Sequence, residues 1–354
     1  MHLSPAFASR VAAVRLLLGA STLCLAALAA TPAQAAAAYT FTILPTLGGD
    51  FERVTSMAQN GWVAGASGNP SGFSNATVWQ QKLAVDFGPD ELRNSGANGL
   101  NEIGDVVGYG EYNGQTAGIW WHGSASDYTV LPPLPGGRIS YAADVNASGL
   151  VVGYAEATPG LSHATSWTNG VVSDLGTLGG DQSTATAVND AGVVAGWAGT
   201  ASGNQHAARW INGVVTDMGT LPGGQFSEAY ALNENGEMAG VSDLGAINVH
   251  ATLWSGGSVI DLGTLGGSIS QAKALNNLGT VVGWAYTASE RYPHATIWTN
   301  GQIADLNQLV EPAVLALGWR LRQAMAVNDA GLIAGESYNV FTGLTKVFLL
   351  TPKP

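Results

Sequence analysis

Four histidines recur at one position of a repeated phrase, His163, His206, His250 and His294, each followed by alanine. A metal ion is the chemistry such residues invite, because zinc takes three or four ligands at about 2.0–2.3 Å from one ion. Here each histidine belongs to its own repeat unit, so the four cannot converge. Each is expected to cap a strand or bond a neighbouring unit, and no metal site is assigned. Asp174, Asp217, Asp261 and Asp305 precede a glycine loop. An aspartate there is expected to accept loop N–H groups rather than do acid–base work. Asn189-Asp-Ala-Gly192 and Asn328-Asp-Ala-Gly331 hold only the start of a calcium loop, whose oxygen ligands alternate along the chain. Gly266-Gly267 lacks the Lys-Ser/Thr that completes a phosphate cradle. No Gly-x-Ser-x-Gly elbow is present, so no catalytic residue and no cofactor are assigned.

The remaining candidates are the residues that do not repeat: Glu111, Tyr112, Glu156, Asp243, Glu290, Arg291, Tyr292, Tyr338 and Phe341, with Trp319 at the end of the irregular stretch 307–319. Aromatic rings with scattered charges make a platform for a sugar or a peptide, and these residues are the candidate ligand site. Tyr109, Tyr154, Trp197 and Trp284 recur directly after a repeated glycine. They are expected to pack between units instead.

The elements that must hold these residues come from a repeat. The clearest copy reads Asp261-Leu-Gly-Thr-Leu-Gly-Gly267, then Ala274-Leu-Asn-Asn-Leu-Gly-Thr-Val-Val-Gly-Trp284, then His294-Ala-Thr-Ile-Trp298. Its middle glycine recurs at Gly65, Gly108, Gly153, Gly196, Gly240, Gly283 and Gly335, spaced 43, 45, 43, 44, 43 and 52 residues apart. That period is the length of a four-stranded propeller blade. Each unit offers an Ala-rich strand suited to a crowded axis, a Val-rich strand, a strand ending in tryptophan, and a short outer strand. Asn-x-x-Gly turns join strands one and two, and Asn-Gly hairpins join strands three and four. These tight turns share one face. The variable connections share the other, which is where the candidate residues fall.

The seventh unit stops after three strands, while residues 39–44 read as a lone strand followed by the glycine loop. The chain is therefore expected to fold as an all-β, seven-bladed β-propeller closed by its N-terminal strand, leaving no exposed edge at the seam. An open β-helix is the rival, but it needs no complementary ends.

Residues 1–35 are expected to lie outside this domain of residues 36–354. Arg10 and Arg15 precede the apolar run 16–30, and Ala33-Gln34-Ala35 offers a small-x-small cleavage site. This pattern reads as a signal peptide cleaved after Ala35, giving a periplasmic or extracellular protein with no membrane insertion. The leader holds the one cysteine, Cys24, so the mature chain has no disulfide or thiol chemistry. It also holds two of the 13 basic residues and none of the 25 acidic ones, which leaves a net charge of −14. An acidic surface excludes nucleic acid as partner.

Leu262-Gly-Thr-Leu-Gly-Gly267, with His-Ala at His163, His206, His250 and His294, resembles the HAF family of extracellular bacterial repeat proteins. The match spans residues 39–350 and is strongest over 174–301. In the first two units Asn75-Ala76 and Thr116-Ala117 replace His-Ala. The resemblance implies export and a repetitive β fold, and brings no activity with it.

Three functions stay open. The first is a monomeric, non-catalytic binding module for a protein or glycan ligand. The second is an extracellular glycan hydrolase or lyase, needing two carboxylates about 5–10 Å apart, with Glu111, Glu156, Glu228, Glu290 and Glu336 as candidates. The third is a structural envelope component.

Overall fold

The computed structural model describes residues 37–89, 91–245, 248–289 and 291–354, and the expected leader lies outside them. The chain runs up and down through antiparallel strands that group into seven four-stranded sheets. In the sixth, Gly266–Leu275, Val281–Thr287, His294–Thr299 and Gln302–Asp305 lie in that order from axis to rim. The first strand of each sheet touches the first strand of the next, in a circuit that runs from Glu52–Met57 round to Trp319–Val327 and back. The protein is a seven-bladed β-propeller.

The repeated glycine has a steric cause. Opposite it the innermost strand bulges, with register shifts such as that between Ala185 and Ala187. The bulge pushes a carbonyl oxygen at the second strand. A Cβ on Gly196 would lie 2.0 Å from the Thr184 oxygen, and the seven equivalent glycines give 1.9 to 2.1 Å. No side chain fits there. The third strand then fills the space between blades with Trp79, Trp121, Trp167, Trp210, Trp254 and Trp298, all buried. Trp79 and Trp167 donate their indole N–H to the Pro45 and Pro132 carbonyls, at 2.7 and 2.8 Å.

The tight turns also link the blades. The buried Asn101 side chain donates to the Asn146 carbonyl at 3.0 Å, and Asn146 to the Asn189 carbonyl at 3.0 Å. The chain of amides continues through Asn233 and Asn276 to Asn328, which reaches Gln59 of the first blade at 3.2 Å. Sequence alone indicates the turn but not this chain of amides. In the Asn169-Gly170 hairpin both residues have positive φ, 50° and 77°, as a two-residue type I′ turn requires. The first blade makes the same turn from Gln81 and Lys82, at φ 49° and 69°.

Tyr39–Ile43 pairs antiparallel with Thr345–Pro352, from Tyr39 opposite Pro352 to Ile43 opposite Phe348, and forms the outer strand of the seventh blade. The stretch 307–319 is less free than its irregular sequence suggests. It forms a 3-10 turn, Leu306–Gln308, and a short helix, Pro312–Ala316. Val310 and Val314 enter the core beside Leu321 and Phe348. The Leu309 carbonyl accepts the N–H groups of Ala38 and Tyr39, at 2.9 and 3.1 Å. This stretch holds the closing strand in place, so part of it is core.

Candidate functional site

The connections after the second strands and before the first strands form the irregular face. At the junction of the sixth and seventh blades this face assembles a group from three separate segments. Tyr292 comes from the loop ahead of the strand His294–Thr299, Arg322 from the innermost strand of the seventh blade, and Tyr338 from its neighbour Ile333–Asn339. Arg322 sits in a bulge, where pairing shifts between Leu321 and Gln323. Its guanidinium carbon lies 4.1 Å from the centre of the Tyr292 ring and 4.3 Å from that of Tyr338. The cation is thus held between two aromatic rings, each contact stabilising by about 0.5–2 kcal/mol according to its exposure. Tyr292 is 49% exposed, and Phe341, in the loop that follows Ile333–Asn339, is 75% exposed and seated above Gly318.

The other candidates do not join this group. Trp319 packs its ring 6.2 Å from Phe41 at the closing seam, a core contact. Glu156 is buried, accepts the N–H groups of Arg138 and Gly160 at 2.7 and 3.0 Å, and lies 3.7 Å from the Arg138 side chain. These bonds hold its carboxyl below the usual range, that from Gly160 foremost. Asp243 likewise accepts the N–H groups of Gln225 and Phe226. Both carboxylates brace loops. Glu111 and Tyr112 stand exposed at the tip of the second blade, Arg291 is exposed, and Glu290 lies outside the described residues.

The carboxylates weighed for hydrolysis are similarly occupied. Glu228 accepts from the Gln205 side chain and from the Tyr230 hydroxyl, the latter at 2.5 Å. Glu336 is half-buried, and burial raises its pKa against the opposing pull of Arg53.

The expected packing of the post-glycine aromatics takes a specific form in one place. Tyr109 stacks on Tyr141 of the next blade at 5.0 Å, and Tyr141 on Tyr154 at 5.1 Å.

The histidines pair with aspartates of their own blade. His163 Nδ1 lies 2.8 Å from Asp174, and His206, His250 and His294 repeat the pair at 2.8, 2.9 and 2.6 Å. Asp174 also accepts the Gly176 N–H at 2.8 Å, which is the loop bond anticipated for these aspartates. Burial alone would raise the pKa of Asp305, but hydrogen bonds from His294 and Asn307 outweigh it and hold the carboxyl low. Among the described residues no three His, Cys, Asp or Glu side chains converge as metal ligands.

A feature the sequence did not disclose lies on the axis, at the tight-turn end. A cavity of about 450 Å³ is lined there by Asn98, Asp144, Asp190, Tyr230, Glu234 and Lys273, among others. Burial pushes the Asp144 carboxyl up to about 7 although Val188 and Val145 donate to it at 2.9 Å. Lys273 stands 4.2 Å from the Tyr230 ring centre, and burial lowers its pKa against the opposing Glu228 charge. The available signal was departure from the repeat. Asp144 stands where other blades have Ser56, Gly99, Ala187, Ala231, Ala274 and Ala326.

No family model matches the chain, and no curated protein matches it. Solved structures do match. The β-propeller domain of the Trilobed protease from Pyrococcus furiosus, described as having an open velcro topology, is 10% identical with a TM-score of 0.53, over 85% of this chain and 93% of that one. A puromycin-hydrolyzing peptidase from Mycobacterium tuberculosis is 12% identical with a TM-score of 0.53, over 88% of this chain and 56% of that one. TolB from Acinetobacter baumannii is 12% identical with a TM-score of 0.47, over 83% of this chain, which spans 64% of its length. Identities this low show a shared fold alone.

Proposed function

We propose that the protein is an exported, monomeric binding module that holds its ligand on the irregular face, at the junction of the sixth and seventh blades. The observation that carries this reading is the Tyr292–Arg322–Tyr338 group, with Phe341 exposed in the loop that follows the Tyr338 strand. Loops held by a rigid scaffold are common binding sites, and exposed aromatic rings on such loops supply contact area at little cost in entropy. The leader-like residues 1–35 and the resemblance to extracellular HAF repeats favour export. Hydrolysis is the weaker reading, because Glu156 and Glu228 are held by hydrogen bonds within the fold.

The test is to pass the purified protein over a glycan array and a panel of polysaccharides, and to assay the same panel for turnover. Binding without turnover is expected, lost in Phe341→Ala or Tyr292→Ala with the melting temperature nearly unchanged. Turnover that disappears in a Glu111→Gln or Glu336→Gln variant would replace the reading with the hydrolase.

A further inference from the structure

We infer that Arg322 is the specificity element of this face, and that the ligand it selects is an acidic glycan presenting a carboxylate or sulfate to the edge of its guanidinium. The inference rests on the binding-module reading and adds the ligand class to it.

The first support is what Arg322 lacks. Arg138, Lys346 and Lys353 each lie within 4 Å of a carboxylate, on Glu156, Glu52 and Glu311. Among the described residues no acidic group stands within that reach of Arg322, and its contacts are the two tyrosine rings. Neighbouring Arg320 differs, since its Nη1 donates to the Leu315 and Trp319 carbonyls at 2.9 and 2.8 Å. None of the Arg322 nitrogens is among the buried atoms left without a partner, and the residue is half-buried.

The second support is geometric. Two ring centres within 4.3 Å of the guanidinium carbon hold the Arg322 head in place. A planar fork fixed in this way meets a carboxylate or sulfate through paired, charge-assisted hydrogen bonds. The rotamer entropy that a free arginine loses on binding is already lost here.

The third support concerns what carries the oxyanion. The mature chain has a net charge of −14, which repels densely charged polymers such as nucleic acid. A short acidic oligosaccharide carries few charges in total and brings apolar C–H faces beside each oxyanion. The Tyr292 ring, 49% exposed and in contact with the Arg322 guanidinium, is placed to receive them.

The experiment measures binding of three probes by titration calorimetry: a short oligogalacturonate, its methyl ester, and a sulfated galactan oligomer. They are tested against the parent, Arg322→Lys, Arg322→Met and Phe341→Ala, with the melting temperature recorded for each. The expected result is binding of an acidic probe and not of the ester. Affinity should fall at least about tenfold in both Arg322 variants, because Lys keeps the charge but not the fork. Preference between uronate and sulfate identifies the source of the oxyanion, and either supports the inference. Equal binding of acid and ester overturns it, as does an Arg322→Met protein that is correctly folded and binds like the parent. If no acidic glycan binds while a neutral glycan or an acidic peptide binds and is lost in Phe341→Ala, the acidic-glycan assignment fails and the binding-module reading stands.

Discussion

Replacing Gly196 by alanine tests the steric reason for the repeat itself. The added Cβ would sit 2.0 Å from the Thr184 oxygen, whereas carbon and carbonyl oxygen in adjacent strands approach to about 3.3–3.6 Å. The innermost strand would have to retreat by more than 1 Å, and it is held on both sides by its neighbours in a closed ring. Overpacking of this kind costs about 1–3 kcal/mol, and each ladder hydrogen bond that the retreat breaks adds about 1 kcal/mol. A total of about 3–4 kcal/mol corresponds, at roughly 2 °C per kcal/mol for a large domain, to a drop of roughly 6–8 °C. Gly192→Ala is the control, because Gly192 has φ +75° with nothing within 4 Å of the added Cβ. Only the left-handed backbone penalty of about 1–2 kcal/mol applies there, or roughly 2–4 °C. Both variants are read by thermal unfolding followed by circular dichroism. A Gly196→Ala protein that melts no lower than Gly192→Ala would refute the close-approach argument.

The double change Gln81→Asn and Lys82→Gly places a favoured pair where two ordinary residues hold positive φ, and a gain of about 1 kcal/mol in chemical denaturation is expected. The folded-state pKa of Asp144, about 7, lies above its reference of 3.8. The folded protein therefore keeps a proton that the unfolded chain releases, and Asp144 makes stability fall as pH rises from about 4 to 7. Asp144→Asn should flatten the melting temperature across that window, and an unchanged slope would contradict the assignment. Deleting residues 39–49 removes the strand paired with Thr345–Pro352. A large loss of thermal stability with oligomerisation by light scattering is expected, and a stable monomer would show that the ring does not depend on its closure.

Much of the fold was legible because repetition imposes the same demands seven times. The period marked the blades, and a terminal blade one strand short matched an N-terminal strand left over. The site was only half legible. Tyr292 and Tyr338 stand out as aromatics beyond the pattern, but Arg322 lies in an innermost strand, at a bulge that has no sequence signature. Asp144, Tyr230 and Lys273 were hidden for a related reason. They occupy innermost strands, which read as small and apolar, and only the ring brings them to one cavity. Glu156 and Asp243 looked free in sequence because their partners are backbone N–H groups, which every residue but proline carries.

Departures from the repeat fall into two kinds, and the difference bears on where a ligand belongs. In the first blade Ala58 replaces the ladder asparagine, but the turn keeps its other link to the next blade, Glu102 accepting the Gln59 N–H at 2.5 Å as Asp190 accepts that of Ala147. Asn75 replaces the histidine there, yet its amide reaches Asp86 at 2.9 Å as the histidines reach their aspartates. The first change leaves a second link between the turns in place, and the other keeps the bond to the aspartate. At the junction of the sixth and seventh blades the departures restore nothing. Among the described residues Arg322 adds a cation with no carboxylate within 4 Å, and Phe341 leaves an aromatic ring in water. A buried orphan of this kind would cost stability outright, but an exposed one costs little until a partner arrives. Uncompensated exceptions at the surface of a repetitive scaffold are therefore the positions that an external ligand would complete.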